Sequence, residues 1–181
     1  MLDTLISSKT RIKLLTRLFL NPGSTAYLRG LAEDFQESTN AVRLELNRFE
    51  EAGMLLSETQ GNKKLFKANE KHPLFKDINS IVLKYVGIDK IIDMVIHRLG
   101  DLDQLYLSGD YAEGKDTGII DLIFIGAIDK SYLVKLIDKA EKLIHKKLRY
   151  LHYSDEDEFH AVMGAADRSS YLPLWKKTVG S

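Results

Sequence analysis

Three polar side chains in the first third of the sequence are spaced to share one face of a helix. Asn40, Arg43 and Asn47 follow the spacing i, i+3, i+7, away from the apolar residues between them. Asparagine can form paired hydrogen bonds with adenine, and arginine with guanine, in the major groove of DNA. The spacing therefore predicts a base-reading helix, although each residue taken singly also suits an ordinary solvated surface.

Further residues close to this helix suit contacts with phosphate or with the minor groove. Hydroxyl and backbone N–H groups at a helix start bind phosphate, and cations at a hairpin tip or on a neighbouring helix reach the DNA backbone. These candidates are Arg29, Ser38, Thr39, Asn62, Lys63 and Lys64.

A second group of chemistry-bearing residues is acidic and lies within twelve positions of one another. Its members are Asp110, Glu113, Asp116 and Asp121. Carboxylates gathered around a loop could form a pocket for a cation or an amine, but four acids near a loop also suit a solvated surface. Both interpretations remain open from the sequence.

The five histidines raise the question of a metal site. His145, His152 and His160 flank an acidic run, but no pair has the i, i+4 spacing on one helix, and the chain has no cysteine thiolate. No metal site and no cofactor are predicted.

Composition excludes several classes of protein. The 181 residues contain no cysteine, which rules out a disulfide framework, a thiolate zinc site and a cysteine nucleophile. Neither a signal-peptide pattern nor an apolar run of membrane-spanning length is present, so we expect a cytoplasmic protein.

The formal net charge of zero is a cancellation between two regions. Up to Lys76 there are 12 basic and 9 acidic residues, and the remainder holds 14 basic and 17 acidic residues. A mildly basic first part and a mildly acidic second part therefore share the chain.

The elements that would position the first group are three helices and a hairpin. Apolar residues recur at helical spacing, and Gly53 follows the third helix in the position of a C-cap. Gly61 and Asn62 provide the turn of a hairpin. The predicted elements are helices over Lys9–Leu20, Leu28–Phe35 and Ser38–Ala52, and strands over Met54–Glu58 and Lys64–Ala68.

This order of elements resembles a winged helix-turn-helix. The segments SKTRIKLLTRLFLNPG, YLRGLAEDF and STNAVRLELNRFEEAGMLLSETQGNKKLFKANEKHPLF resemble the ArsR-type winged-helix regulators of bacteria and archaea, in a subgroup with an appended minimal nucleotidyltransferase-like domain. The match covers residues 7 to 76. The resemblance implies that the third helix enters the major groove and that the hairpin acts as the wing.

Two apolar-faced helices, from Pro73 to Gly87 and from Ile88 to Leu99, follow the hairpin and predict a rigid connector or a dimer interface. Strands and helices then alternate, which predicts a small α/β domain with a mixed sheet. The predicted elements are strands over Leu105–Ser108, Ile119–Ile125 and Leu148–Tyr153, a helix over Lys130–Lys147, and an edge strand or helix over residues 171–181. The predicted parts are a winged helix over 1–72, a helical connector over 73–100 and an α/β domain over 101–181.

The segment LYLSGDYAEGKDTGIIDLIFIG resembles the nucleotidyltransferase motif, in which a strand ends in Gly-Ser, a short helix follows, and the next strand carries Asp-hydrophobic-Asp. In that motif the turn lets the backbone approach phosphates, and the two carboxylates hold divalent metals. Gly109, Ala112, Gly114 and Asp121 match it.

Three positions depart from the motif. Asp110 replaces the serine, Glu113 replaces a position that is commonly basic, and Ile119 replaces the first carboxylate. Losing one carboxylate removes metal affinity, and two added acids repel a triphosphate by about 1–4 kcal/mol each at ~4 Å. The sequence therefore predicts a degenerate nucleotidyltransferase site at Gly109, Asp110, Glu113 and Asp121, with no catalytic residues.

The sequence as a whole predicts an α+β protein that regulates transcription. It would bind a near-palindromic double-stranded DNA operator as a homodimer, with the C-terminal domain serving dimerisation or effector sensing. The alternative is an active nucleotidyltransferase that modifies a protein or nucleic acid and is recruited by the winged helix. Position 119 discriminates between them, since an active enzyme needs a carboxylate there or a substitute, for example from the strand ending at Tyr153.

Overall fold

The computed structural model describes residues 2–96, 98–163 and 171–177, which fall into two compact units. The N-terminal unit comprises Met1–Tyr85 and the C-terminal unit Val86–Ser181. Both units combine helices with a sheet, so the fold is α+β, as the sequence predicted.

Two helices of the N-terminal unit begin after a serine whose side chain caps them. The Ser8 hydroxyl accepts a hydrogen bond from the Arg11 N–H, and the Ser38 hydroxyl accepts one from the Ala41 N–H. The elements in chain order are α1 (Leu2–Leu5), α2 (Lys9–Phe19), β1 (Ala26–Tyr27), α3 (Leu28–Phe35), α4 (Thr39–Glu51), β2 (Leu55–Gln60), β3 (Lys63–Ala68) and α5 (Phe75–Val86).

The sheet of this unit has the strand order β1-β3-β2, with antiparallel neighbours. The predicted hairpin turns at Gly61, whose φ of +62° favours glycine. The sequence did not predict the two-residue strand β1 or the short helix α1, which are too short to show a hydrophobic period. Helices α2, α3 and α4 surround a core that includes Leu14, Leu18, Phe19, Leu31, Val42 and Leu46.

The C-terminal unit is built around a four-stranded mixed sheet. Its elements are α6 (Ile88–Ile96), β4 (Gly100–Ser108), α7 (Gly109–Ala112), β5 (Ile119–Ile128), α8 (Lys130–Ile144), β6 (Lys147–Tyr153), α9 (Glu156–Met163) and β7 (Leu172–Lys176). The strand order is β6-β5-β4-β7, in which β5 and β6 are parallel and the other neighbours antiparallel. The parallel pair is joined by α8, as such a pair requires.

Two predicted boundaries in this unit are corrected by local geometry. Helix α8 ends at Ile144 rather than at Lys147, because His145 adopts a left-handed conformation with φ +55°. The Glu141 carboxylate then accepts a hydrogen bond from the Leu148 N–H at 2.8 Å, which leads the chain into β6. Strand β4 begins at Gly100, five residues before the predicted start at Leu105.

The remaining elements of this unit are the C-terminal strand β7 and the helix α6. Residues 171–181 were predicted to add an edge strand or a helix, and β7 is an edge strand, while residues 178–181 lie outside the described residues. Helix α6 packs against α8, with Ile88, Ile91 and Val95 buried. None of the helices in the described ranges has the length and apolar character needed to cross a membrane.

Candidate functional site

The candidate site lies where β4 ends and the chain turns into α7, beside β5. Gly109 takes φ +63°, and a Cβ atom built there would lie 2.5 Å from Oδ2 of Asp121. Both the backbone conformation and this contact favour glycine, because a Cβ atom would require Asp121 to move. The structure thus brings together Gly109 and Asp121, two of the residues that the sequence singled out.

Asp121 makes a two-point ion pair with Arg149. Nε of Arg149 lies 2.6 Å from Oδ1 of Asp121, and its terminal nitrogen lies 2.8 Å from Oδ2. The two residues are partners in the parallel register of β5 and β6, so the sheet itself sets the pair. The Asp121 side chain is 20% exposed and that of Arg149 is 67% exposed, so the guanidinium stays accessible to a ligand.

Sequence reasoning missed Arg149. It lies in a different strand from the motif, and its partnership with Asp121 depends on the register across α8. The available signal was the alternation of β5, α8 and β6, which places the starts of two parallel strands side by side. The hydrogen bonds and charge of Asp121 raise the pKa of Arg149, and the charge of Asp110 adds to that effect.

The strand that could have supplied a substitute carboxylate supplies cations instead. β6 reads KLRYLHY and contains no acid. In the register, Lys147 is the partner of Ile119 and Arg149 the partner of Asp121. Residues two apart on a strand share a face, so this part of the sheet presents one carboxylate and two cations.

Ion pairs change the acidic pocket that was one of the two interpretations of the four acids. Three of the four acids have a cation partner: Asp121 with Arg149, Glu113 with Lys115 at 3.0 Å, and Asp116 with Lys146 at 2.9 Å. Asp110 is exposed at the start of α7. The acids therefore do not form an unpaired cluster.

Asp116 belongs to a network that closes the loop between α7 and β5. The buried Tyr111 donates its hydroxyl hydrogen to Asp116, and Lys146 donates to both residues, with its Nζ 2.6 Å from the Tyr111 oxygen. Burial raises the pKa of Asp116, but the hydrogen bonds from Tyr111 and Lys146 and the charge of Lys146 outweigh it, so that pKa lies below its ordinary value.

The residues predicted to contact DNA are mostly exposed, but several are engaged within the unit. Asn40, Arg43 and Asn47 lie on the exposed face of α4, Thr39 is exposed at its first turn, and Arg29 is exposed on α3. The Ser38 hydroxyl caps α4.

The hairpin lysines have internal partners. Nζ of Lys64 lies 2.7 Å from a carboxylate oxygen of Glu50 on α4. Nζ of Lys63 lies 4.5 Å from the centre of the Tyr27 ring. Asn62 remains exposed at the turn. Two of the three predicted hairpin contacts are therefore directed into the protein's own surface.

Metal ligands are not gathered in the parts that the structure describes. Within residues 2–96, 98–163 and 171–177, no group of three or more histidine, aspartate or glutamate side chains could hold a metal ion. The ring of His152 contacts the Gly126 carbonyl at 2.9 Å, and His160 lies 3.8 Å from Glu156.

Of the comparisons with known proteins, the one with solved structures found matches. The chain matches no protein-family model and no curated protein. It is similar to a mutant of the toxin–antitoxin complex MntA–HpeT, with 19% identity and a TM-score of 0.39 over 50% of this chain and 73% of the other. It is also similar to AF1382 from Archaeoglobus fulgidus, with 22% identity and a TM-score of 0.37 over 52% and 97%. A third structure is a tri-AMPylated Shewanella oneidensis HEPN toxin bound to its MNT antitoxin, with 17% identity and a TM-score of 0.37 over 50% and 71%.

These findings correct two predictions. Two of the three structures are toxin–antitoxin complexes and none is described as a DNA-binding regulator, which runs against the prediction of an ArsR-type, DNA-binding transcription regulator. The AMPylated toxin named in the third structure likewise runs against the prediction that the site is not enzymatic. What the structure itself shows is an α+β chain of two compact units.

Proposed function

We propose that the chain is a nucleotidyltransferase that transfers a nucleotide to a partner protein, and that its N-terminal unit recruits this partner. The carrying observation is the contact between Gly109 and Asp121, where a Cβ atom would lie 2.5 Å from the carboxylate oxygen. A left-handed turn that favours glycine, set against an acidic strand residue, is an arrangement that lets a backbone approach a nucleotide's phosphates.

The residues present do not fit a pair of divalent metal ions, although the motif's logic calls for one. Ile119 supplies an alkyl group where the first carboxylate would stand, and both oxygens of Asp121 already accept hydrogen bonds from Arg149. Any charge stabilisation at this site has to come from the chain's own cations, of which Arg149 is the one in contact with Asp121.

We infer that the N-terminal unit is a winged helix that serves as the recruiting module. Helices α2, α3 and α4, followed by the β2–β3 hairpin with β1 at its side, support this inference. Its exposed polar face on α4 and the exposed Leu44 and Leu56, which are 54% and 46% exposed, suit contact with a protein surface.

Labelled ATP tests the proposed function. The purified chain is incubated with α-labelled ATP and an extract of the source cells, with and without magnesium, and the products are separated on a denaturing gel. We expect a labelled protein band that Asp121→Asn abolishes and Asp138→Asn, on the exposed face of α8, leaves unchanged. Protease treatment should remove the label; removal by nuclease would identify a nucleic-acid target. No labelled product under any condition would contradict the proposal.

A further inference from the structure

A guanidinium occupies the position at Asp121 where a nucleotidyltransferase motif would place a metal cation. Arg149 contacts both carboxylate oxygens, at 2.6 and 2.8 Å, and paired bonds of this type fix the geometry as well as the charge. The two residues are register partners of neighbouring strands. The guanidinium can therefore leave Asp121 only if β6 is distorted or the Arg149 side chain changes its rotamer. Asp121 is therefore neutralised by the protein itself.

The residues next to this ion pair also disfavour a metal ion at Asp121. Lys147 stands opposite Ile119, and Glu141, on α8, accepts a hydrogen bond from its ammonium group at 2.8 Å. A divalent cation approaching Asp121 would meet the guanidinium directly and the lysine one position along the same face. An anion is instead attracted by the N–H groups of Arg149 that Asp121 leaves unused.

The acids nearby do not cancel that attraction. Glu113 and Asp116 are paired with Lys115 and Lys146, so the repulsion that the sequence predicted for a triphosphate is reduced to that of the exposed Asp110. Arg149 has five N–H groups, of which Asp121 uses one on Nε and one on a terminal nitrogen. The remaining N–H groups belong to a side chain that is 67% exposed.

We infer that Arg149 takes the place of the divalent metal at this site and binds the phosphate groups of a nucleoside triphosphate without a metal ion. Asp121 acts as the positioning residue that holds the guanidinium beside the Gly109 turn. The inference rests on the proposed function, because it names the ligand chemistry of the same site.

Calorimetric titration of the full chain with ATP tests this assignment. We expect ATP to bind in EDTA with an affinity within about threefold of that in magnesium. Arg149→Ala should weaken binding in EDTA by about tenfold to a hundredfold, the range expected for lost charge-assisted hydrogen bonds. Lys142→Ala, which removes an exposed cation of α8 paired with Asp138, should leave the affinity unchanged.

The outcomes separate this inference from the proposed function. ATP binding that requires magnesium, with transfer activity intact, overturns the inference and leaves the proposed function standing. Absence of ATP binding in both conditions, together with absence of labelled product, overturns both.

Manganese binding gives a second, activity-independent measurement. Free Mn²⁺ is followed by electron paramagnetic resonance as it is added to each variant, and circular dichroism confirms that the variants are folded. We expect no saturable binding to wild type or to Arg149→Ala, because Asp121 stands without a second carboxylate at position 119. Saturable binding to wild type that Asp121→Asn abolishes would show that the metal, and not the guanidinium, belongs at this site.

Discussion

At the scale of single residues, the site has a glycine at a position where a larger side chain would push against Asp121. Gly109 combines a φ of +63° with a contact to Asp121 that leaves no room for a Cβ atom. Gly118, at the other end of the same loop, has a φ of +78° but no atom within 4 Å of a Cβ position. A comparison of substitutions at the two glycines therefore separates the effect of backbone strain from the effect of crowding by a neighbouring side chain.

We expect Gly109→Ala to destabilise the protein by about 1–3 kcal/mol more than Gly118→Ala does. Both changes carry the left-handed strain of about 1–2 kcal/mol, but only the first pushes against Asp121. Urea unfolding of the two variants measures the difference, and the labelled-ATP assay should show loss of transfer in Gly109→Ala alone. Equal effects of the two changes would show that the Asp121 contact is unimportant.

At the scale of elements, α2 and α4 are joined by a carboxylate that is buried to 5% exposure. Glu45 accepts hydrogen bonds from Arg11 at 2.9 Å and from the Ser8 hydroxyl at 3.0 Å, and it pairs with Arg48 at 3.3 Å. Ser8 is also the N-cap of α2, so one carboxylate fixes both the start of a helix and its neighbour.

Removing this carboxylate should loosen the N-terminal unit. We expect Glu45→Ala to cost about 1–3 kcal/mol, at the low end of values for broken buried pairs, because Arg11 and Arg48 are partly exposed and can turn to water. Glu51→Ala, at an exposed position of the same helix, is the control. Chemical denaturation measures both, and a cost for Glu45→Ala no larger than that of the control would refute the role.

The loop between α7 and β5 gives a pH-dependent prediction. The pKa of Asp116 is lower in the folded chain than in the unfolded one, so its contribution is complete above the unfolded value of about 3.9 and is lost as the pH falls through the folded value. We expect Asp116→Asn to be less stable than wild type at neutral pH, with the gap closing in acid. Unfolding curves between neutral and acidic pH test this, with Asp138→Asn as the surface control. A gap that is constant with pH would contradict the assignment.

At the scale of the whole molecule, two units each carry their own core and sheet. Such units commonly fold alone. We expect fragments 1–85 and 86–181 to give cooperative thermal transitions by circular dichroism, and the second fragment to retain ATP binding. A second fragment without a cooperative transition would show that its core needs the first unit.

The homodimer remains a prediction, and the surface expected to form its interface is now that of α5. The apolar residues of α6 are buried within the C-terminal unit, whereas Ile81 on α5 is 44% exposed and Leu74 just before it is 55% exposed. We expect the full chain to sediment as a dimer and Ile81→Glu as a monomer, because a charge would have to be buried at the contact. A wild-type monomer at micromolar concentration would rule the dimer out.

The sequence by itself determined the features that depend on near neighbours along the chain. Helix periods and the hairpin at Gly61 were predictable because they involve residues within a few positions of one another, and the resemblance to a known motif singled out Gly109 and Asp121. The tertiary structure alone decided which charges meet. Arg149 reaches Asp121 through strand register, and Lys64 reaches Glu50 through the fold of the hairpin onto α4. Such pairs join residues far apart in the chain, and their geometry changes what a site can bind: Asp121 appeared as half of a metal pair and is instead the partner of a guanidinium.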